Sequence, residues 1–179
     1  LKKVRDAKKW KSAVAHYLAS ISYADARVGQ LLQGLDESDY AKNTIIILWS
    51  DHGWHLGEKE HWHKRTLWHV CTRIPFIIVA PGTSKAQQRS SQPVSLLDIF
   101  PTLIELCGLS KLPGLDGSSL VPLLRNPRAS REQPAITVSE EQHASVVDDR
   151  YRYIRYRDGA EELYDRKADP NEWTNRASD

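Results

Sequence analysis

Ile45-Ile46-Ile47-Leu48-Trp49-Ser50-Asp51-His52-Gly53-Trp54-His55-Leu56-Gly57-Glu58, continuing through Lys59 and Glu60 to His61-Trp62-His63-Lys64, decides how the rest of this chain is read. Its first five residues are apolar and mostly β-branched, which predicts a buried strand bounded by turn residues. The run breaks at Ser50-Asp51-His52-Gly53, where a carboxylate and an imidazole stand side by side. In open α/β sheets chemistry gathers just past the carboxyl ends of strands. Gly53 leaves the backbone free to turn both groups toward one point. A cluster of His and Lys follows about ten residues later, so the stretch predicts a hard metal ion working on an anionic substrate.

Taken together, SDHGWHLGE, then HWHK, then Arg73-Ile-Pro-Phe-Ile-Ile-Val-Ala-Pro81-Gly82, resemble the C-terminal half of a sulfatase of the alkaline-phosphatase superfamily. The DHG-W-x-LGE-x-x-x-W-x-K form looks most like the iduronate-2-sulfatase-like branch. The resemblance covers nearly the whole chain, and its motifs are specific as a set; D-H-G alone is weak. It implies an α/β fold, the C-terminal part of an alkaline-phosphatase-like sulfatase core over residues 1–130. A small antiparallel β subdomain is expected over 131–179.

The pattern along the chain agrees. Val14, Tyr17, Leu18, Ile21, Ala24, Val28, Leu31, Leu32 and Leu35 recur at three- and four-residue steps, which predicts one helix over residues 1 to about 35. Strands are expected at Thr44–Trp49 and Ile74–Ala80, with a long functional loop over residues 50–73 between them. A helix should start near Asp98 with Pro101 in its first turn, and a short one should cover Ser118–Leu124. Ala135–Val138, Ala144–Val147, Tyr151–Tyr156 and Glu162–Tyr164 read as short strands, with Asp158-Gly159 as a hairpin turn. The run Arg150-Tyr-Arg-Tyr-Ile-Arg-Tyr-Arg157 interleaves cations and aromatics. We read it as a strand with alternating faces close to Asp148 and Asp149, in preference to a nucleic-acid surface.

Composition narrows the partners. A chain of 179 residues can bury a real core. Its net charge of +2, from 25 basic and 23 acidic residues, gives no support for nucleic-acid binding. No apolar run approaches the roughly 20 residues that span a bilayer. Cys71 and Cys107 cannot form a C-x-x-C site, and we read them as small apolar thiols.

Site residues follow from the motif. Asp51 is the expected metal ligand; taken alone it reads equally as a turn Asp. His52 is the second expected ligand. Its imidazole admits Mn²⁺ or Zn²⁺ as well as Mg²⁺ and Ca²⁺, and the resemblance favours Ca²⁺. Lys64 matches the motif Lys that contacts the sulfate or the substrate acid, so a catalytic and substrate-binding role is expected, its ammonium steadying anionic oxygen. His63 and Trp54 are expected at the substrate, Trp54 and Trp62 either walling a sugar ring or packing beneath the loop. His55, His61, His63 and His69 could suggest zinc, but no Cys accompanies them. The role of His69 is open, and Glu58 and Arg73 are expected in an ion pair between elements.

The resemblance also implies a nucleophile, a formylglycine made from the Cys or Ser of a C/S-x-P-S/A-R motif. Neither Cys71-Thr-Arg-Ile nor Cys107-Gly-Leu-Ser matches it. Covalent catalysis needs its nucleophile, so we expect the C-terminal part of a longer chain, inactive alone, that self-associates through an exposed sheet edge. The expected function is hydrolysis of sulfate esters, on sulfated sugars or other sulfated small molecules. Phosphonate or phosphodiester hydrolysis, choline-sulfatase-like activity and a non-catalytic metal- or glycan-binding module are the alternatives. By resemblance the location is periplasmic, secreted or lysosome-like.

Overall fold

The computed structural model describes residues 1–139 and 142–178. The expected first helix is two helices, α1 (Lys2–Asp6) and α2 (Trp10–Asp36). Between them Lys8 adopts the left-handed conformation at φ 54°. Its N–H bonds Arg5 O at 2.8 Å, and the Lys9 N–H bonds Val4 O at 3.1 Å. This pair of bonds is a Schellman C-cap with lysine where glycine is usual, which is why the sequence pattern did not reveal the break. The apolar stripe of α2 stays largely open, with Leu18, Ile21, Leu31 and Leu32 exposed.

Strand β1 (Ile46–Trp49) runs into the motif, and the chain returns through β4 (Phe76–Val79). The two pair antiparallel, with Ile46 opposite Val79 and Trp49 opposite Phe76. The expected loop between them carries structure of its own. A minimal hairpin joins β2 (His55–Leu56) to β3 (Trp62–His63), and a one-turn helix α3 (His69–Thr72) follows.

Helix α4 (Ile99–Leu106) follows a 3-10 turn opened by a capping box between Ser95 and Asp98. The buried Asp98 also accepts from Ser118 N at 2.8 Å and pairs with Arg131 at 2.9 Å. Helix α5 covers Val121–Arg125. The C-terminal sheet is a four-stranded antiparallel meander, β5 (Ala135–Val138), β6 (Ala144–Val147), β7 (Tyr151–Arg155) and β8 (Glu161–Asp165). Gly159, at φ 89°, makes the expected turn between β7 and β8.

In β7 the alternation turns Arg152 and Ile154 inward. Arg152 pairs with Glu172 at 2.6 Å rather than with the neighbouring acids Asp148 and Asp149. Ile154 joins Leu67 and Tyr164 in the core, with Trp68 and Tyr156 packed against them. That core joins the end of the site loop to the C-terminal sheet. Further ties are the bonds from Arg152 to Leu67 O at 2.8 Å, from His69 N to Glu172 at 2.7 Å and from Trp68 Nε1 to Glu162 at 2.6 Å.

Candidate active site

The geometry begins at Gly53. A Cβ here would lie 2.0 Å from Val70 O, so glycine is required by close approach of backbone rather than by a left-handed φ. The Gly53 N–H donates to Cys71 O at 2.7 Å, seating the turn after β1 on α3. Cys71 is buried there and Cys107 is exposed, both as free thiols.

His52 is thereby aimed. Its Nδ1–H donates to Gly53 O at 2.8 Å, which leaves the Nε2 lone pair free to accept. Lys64 Nζ donates to Nε2 at 2.8 Å, and Asp51 Oδ2 lies 3.3 Å from the same nitrogen. Three of the expected site residues therefore meet at one atom. A carboxylate oxygen and an imidazole lone pair 3.3 Å apart call for a positive charge beside them; the Lys64 ammonium supplies it at Nε2, and a metal ion bound there would displace it. Neighbouring ligands on one cation with bonds of about 2.1–2.4 Å are about 3.0–3.4 Å apart, so this spacing fits a shared metal. Among the described residues no group of three or more His, Cys, Asp or Glu is arranged around a metal position. Asp51 and His52 are two donors, and Ca²⁺ takes six to eight oxygens or their equivalents.

Trp54 and His63 are in contact, their ring centres 4.4 Å apart and the rings tilted by 53°, and Tyr17 of α2 stacks on Trp54 at 6.0 Å. Trp54 is thus packed under the loop and also faces the exposed His63. His55 is fully buried, its Nδ1 donating to Glu58 O at 3.2 Å and its Nε2 lying 2.7 Å from Thr66 Oγ1. Burial lowers its pKa, and it serves as a strut for the loop. Among the described residues neither Glu58 nor Arg73 forms the expected ion pair. The Glu58 carboxylate turns back on Leu56 N at 2.6 Å, because the tight turn beside it leaves that N–H unpaired. Arg73 faces the cleft instead.

That cleft, about 930 Å³, runs from Asp51, His52 and Lys64 past α3 to the face of β5. The sequence reading missed Arg65, which stands directly after the motif Lys64, and also Arg152 and Arg166 on its walls, because nothing local marks a residue of β7 or one just past β8 as a neighbour of residue 64. His69 lines it too, its pKa pushed down to about 4 by burial and then by Arg152, Arg166 and Arg73.

A family model described as "Sulfatase" matches residues 2–109. The chain belongs to the sulfatase family. A second model, "N-sulphoglucosamine sulphohydrolase, C-terminal", matches residues 57–179. A sulfatase of Formosa agariphila is 43% identical over 94% of this chain and 33% of its own length. Arylsulfatase K of Gallus gallus is 35% identical over 91% of this chain and 33% of its own length. Choline-sulfatase of Rhizobium meliloti is also 35% identical, over 90% and 32%. A solved structure in complex with its substrate D-glucosamine-2-N,6-O-disulfate superposes with a TM-score of 0.81 at 30% identity, covering 89% of this chain and 35% of that one. The phosphonate monoester hydrolase of Agrobacterium radiobacter gives a TM-score of 0.76 at 28% identity, over 89% and 36%. The chain thus spans about a third of the length of the curated relatives it matches. The expected fold is borne out: an alkaline-phosphatase-like sulfatase α/β architecture with a small antiparallel sheet at the C-terminal end.

Proposed function

We propose that this sulfatase chain supplies the metal-and-lysine side of a site that hydrolyses sulfate esters of sulfated sugars. The observation that carries the reading is the meeting of Asp51, His52 and Lys64 at His52 Nε2. Asp51 and His52 would hold a divalent cation, Ca²⁺ by resemblance, which supplies charge stabilisation for the sulfate oxygens. Lys64 is the catalytic and substrate-binding ammonium. With Nε2 engaged elsewhere, it is free to donate to an anionic oxygen of the ester and steady charge on the leaving oxygen. His63 and Trp54 form the wall against the sugar ring. The formylglycine nucleophile lies outside these 179 residues, so catalysis belongs to the whole protein. Trp54 and Lys64 in the DHG-W-x-LGE-x-x-x-W-x-K frame support an iduronate-2-sulfatase-like specificity. No helix of the described residues is long and apolar enough to cross a membrane, and a secreted, periplasmic or lysosome-like setting is part of the proposal.

A second reading has its own support. The likeness to a phosphonate monoester hydrolase means that the same cation-plus-lysine arrangement suits a phosphonate ester, and the choline-sulfatase relative suits a small sulfated cation. The test is turnover of a sulfated sugar, choline sulfate and a phenyl phosphonate ester by the whole protein. Lys64→Ala and Asp51→Asn should each lower kcat/KM for the sulfated sugar by about 10²–10³-fold. Faster turnover of the phosphonate would install the second reading. Unchanged rates in both variants would remove Asp51 and Lys64 from the chemistry, and no turnover of any of the three substrates would leave a non-catalytic module.

A further inference from the structure

Beyond Lys64 the cleft carries more positive charge than one sulfate requires. Arg65, Arg73, Arg152 and Arg166 line it, and Asp51 is the one carboxylate among its described lining residues. Arg152 is accounted for by Glu172. Arg65 and Arg73 form no ion pair among the described residues. Arg166 donates from one terminal nitrogen to Asp148 O at 2.7 Å, while its Nε is buried with no hydrogen-bond partner. A buried N–H left unpaired is costly, and a guanidinium presents a fork that matches an oxyanion. The backbone of Arg73 adjoins the motif directly, its carbonyl 3.2 Å from the Cβ position of Gly53.

We propose that Arg73 and Arg166, with Arg65 at the Lys64 end, form a second anion subsite that takes a further sulfate or carboxylate of the substrate, apart from the ester held at Asp51, His52 and Lys64. The proposal rests on the sulfatase reading of that site and narrows its substrate to one carrying at least two anionic groups. The position of the subsite, walled by β5 and by residues 90–97, suits a neighbouring group on the same ring or the next sugar. Arg166 lines the cleft there, and among the described residues only one of its terminal nitrogens has a partner, Asp148 O. The same arginines gather around His69: burial first, then Arg152, Arg166 and Arg73, push its pKa down to about 4.

The test is equilibrium binding by the whole protein of four probes: inorganic sulfate, a glucose monosulfate, sucrose octasulfate and an unsulfated hyaluronan tetrasaccharide. Sucrose octasulfate should bind at least about tenfold more tightly than the monosulfate, and Arg73→Gln or Arg166→Gln should each remove about tenfold of that affinity. Arg73→Lys should restore part of it, and Arg128→Gln, outside the cleft, should not change it. Because the Arg73 side chain has no ion-pair partner among the described residues, its variant guards against misfolding of the Arg166 variant. Arginine-dependent binding of the hyaluronan probe would assign the subsite to carboxylates, and its absence beside octasulfate binding would assign it to sulfates. If monosulfate and sulfate binding require Lys64 but neither arginine variant weakens octasulfate, the second subsite is refuted and the sulfatase reading stands. Arginine-dependent octasulfate binding without any effect of Lys64→Ala would uphold the basic subsite as an anion site and remove the sulfatase reading. Indifference to all three residues would overturn both.

Discussion

Asp51, His52 and Lys64 show what a motif can reveal and where it stops. Their types and spacing were legible, because a strand ending in a carboxylate and an imidazole, followed by a lysine, is a local pattern. Their convergence on a single nitrogen was not, since it depends on Gly53 resting against Val70 O and on the Nδ1 bond that sets the tautomer. His69 makes the opposite case. It stood open in the sequence, and its environment is set by Arg152 and Arg166, which lie far along the chain. Its pKa falls from an ordinary 6.5 to about 4, chiefly through burial. The folded state therefore favours neutral His69, and this contribution to stability is complete above the unfolded value near 6.5. As the pH falls from there toward 4 the unfolded chain takes up a proton that the folded chain refuses, and the contribution is lost. The urea midpoint should therefore drop between pH 7 and pH 4.5, and His69→Gln should make that drop smaller. An equal drop in both proteins would show that His69 is not the titrating group.

The hairpin that carries His63 and Lys64 is held against its own backbone preferences. Lys59, Glu60, His63 and Arg65 all have positive φ, at 52°, 57°, 89° and 76°. Each non-glycine residue in that region costs on the order of 1 kcal/mol or more, so such a segment persists only where its surroundings over-determine it. The anchors are visible. Trp10 Nε1 donates to Leu56 O at 2.6 Å, Arg5 pairs with Glu60, and His55 is clamped between Glu58 and Thr66. Lys59 is the long-range anchor. Its ammonium sits 4.8 Å from the ring centres of both Trp68 and Tyr164 and 5.7 Å from that of Trp173, and it donates to Glu172 O. None of this was legible, because a lysine in a polar turn reads as solvated; two of the three rings around it, Tyr164 and Trp173, lie more than a hundred positions along the chain. Truncation by Lys59→Ala should remove a cation–π contribution of about 1–2 kcal/mol. Amide exchange should quicken across residues 57–65, with Lys64-dependent sulfate binding weakened in parallel, while the amides of β6 keep their protection. If exchange in that segment is unchanged, the strain is held by the other anchors and Lys59 is incidental.

Across the molecule, the periodic segments were readable and the bonds that join them were not. The period-two strands of the C-terminal sheet and the helix at Pro101 came from local pattern. The Arg152–Glu172 pair, the Asp98–Arg131 pair and the core of Leu67, Ile154 and Tyr164 came from packing over long sequence separation. The Asp98–Arg131 pair and the shared core cross from residues 1–130 to residues 131–178, and Arg152 and Glu172 reach across to Leu67 O and His69 N, so the sheet and the site loop are bound together. The other side of the fold is bare. Leu18, Ile21, Leu31 and Leu32 on α2 and Leu48, Trp49, Ile77 and Val79 on the β1–β4 pair are all exposed. Each strand of that pair has one unpaired edge among the described residues. Apolar side chains beside free strand edges offer both a hydrophobic surface and a hydrogen-bonding template. The 179-residue chain produced by itself should therefore associate at micromolar concentration. Light scattering should report masses above the 20.4 kDa of one chain. Ile77→Lys should shift the distribution toward the monomer by putting charge on the exposed apolar face of the β1–β4 pair. The Arg152–Glu172 tie lies away from that position, so the near-ultraviolet circular dichroism of the C-terminal sheet aromatics should persist in that variant. A monodisperse 20.4 kDa species in the unmodified chain would show that this face is covered without a second copy.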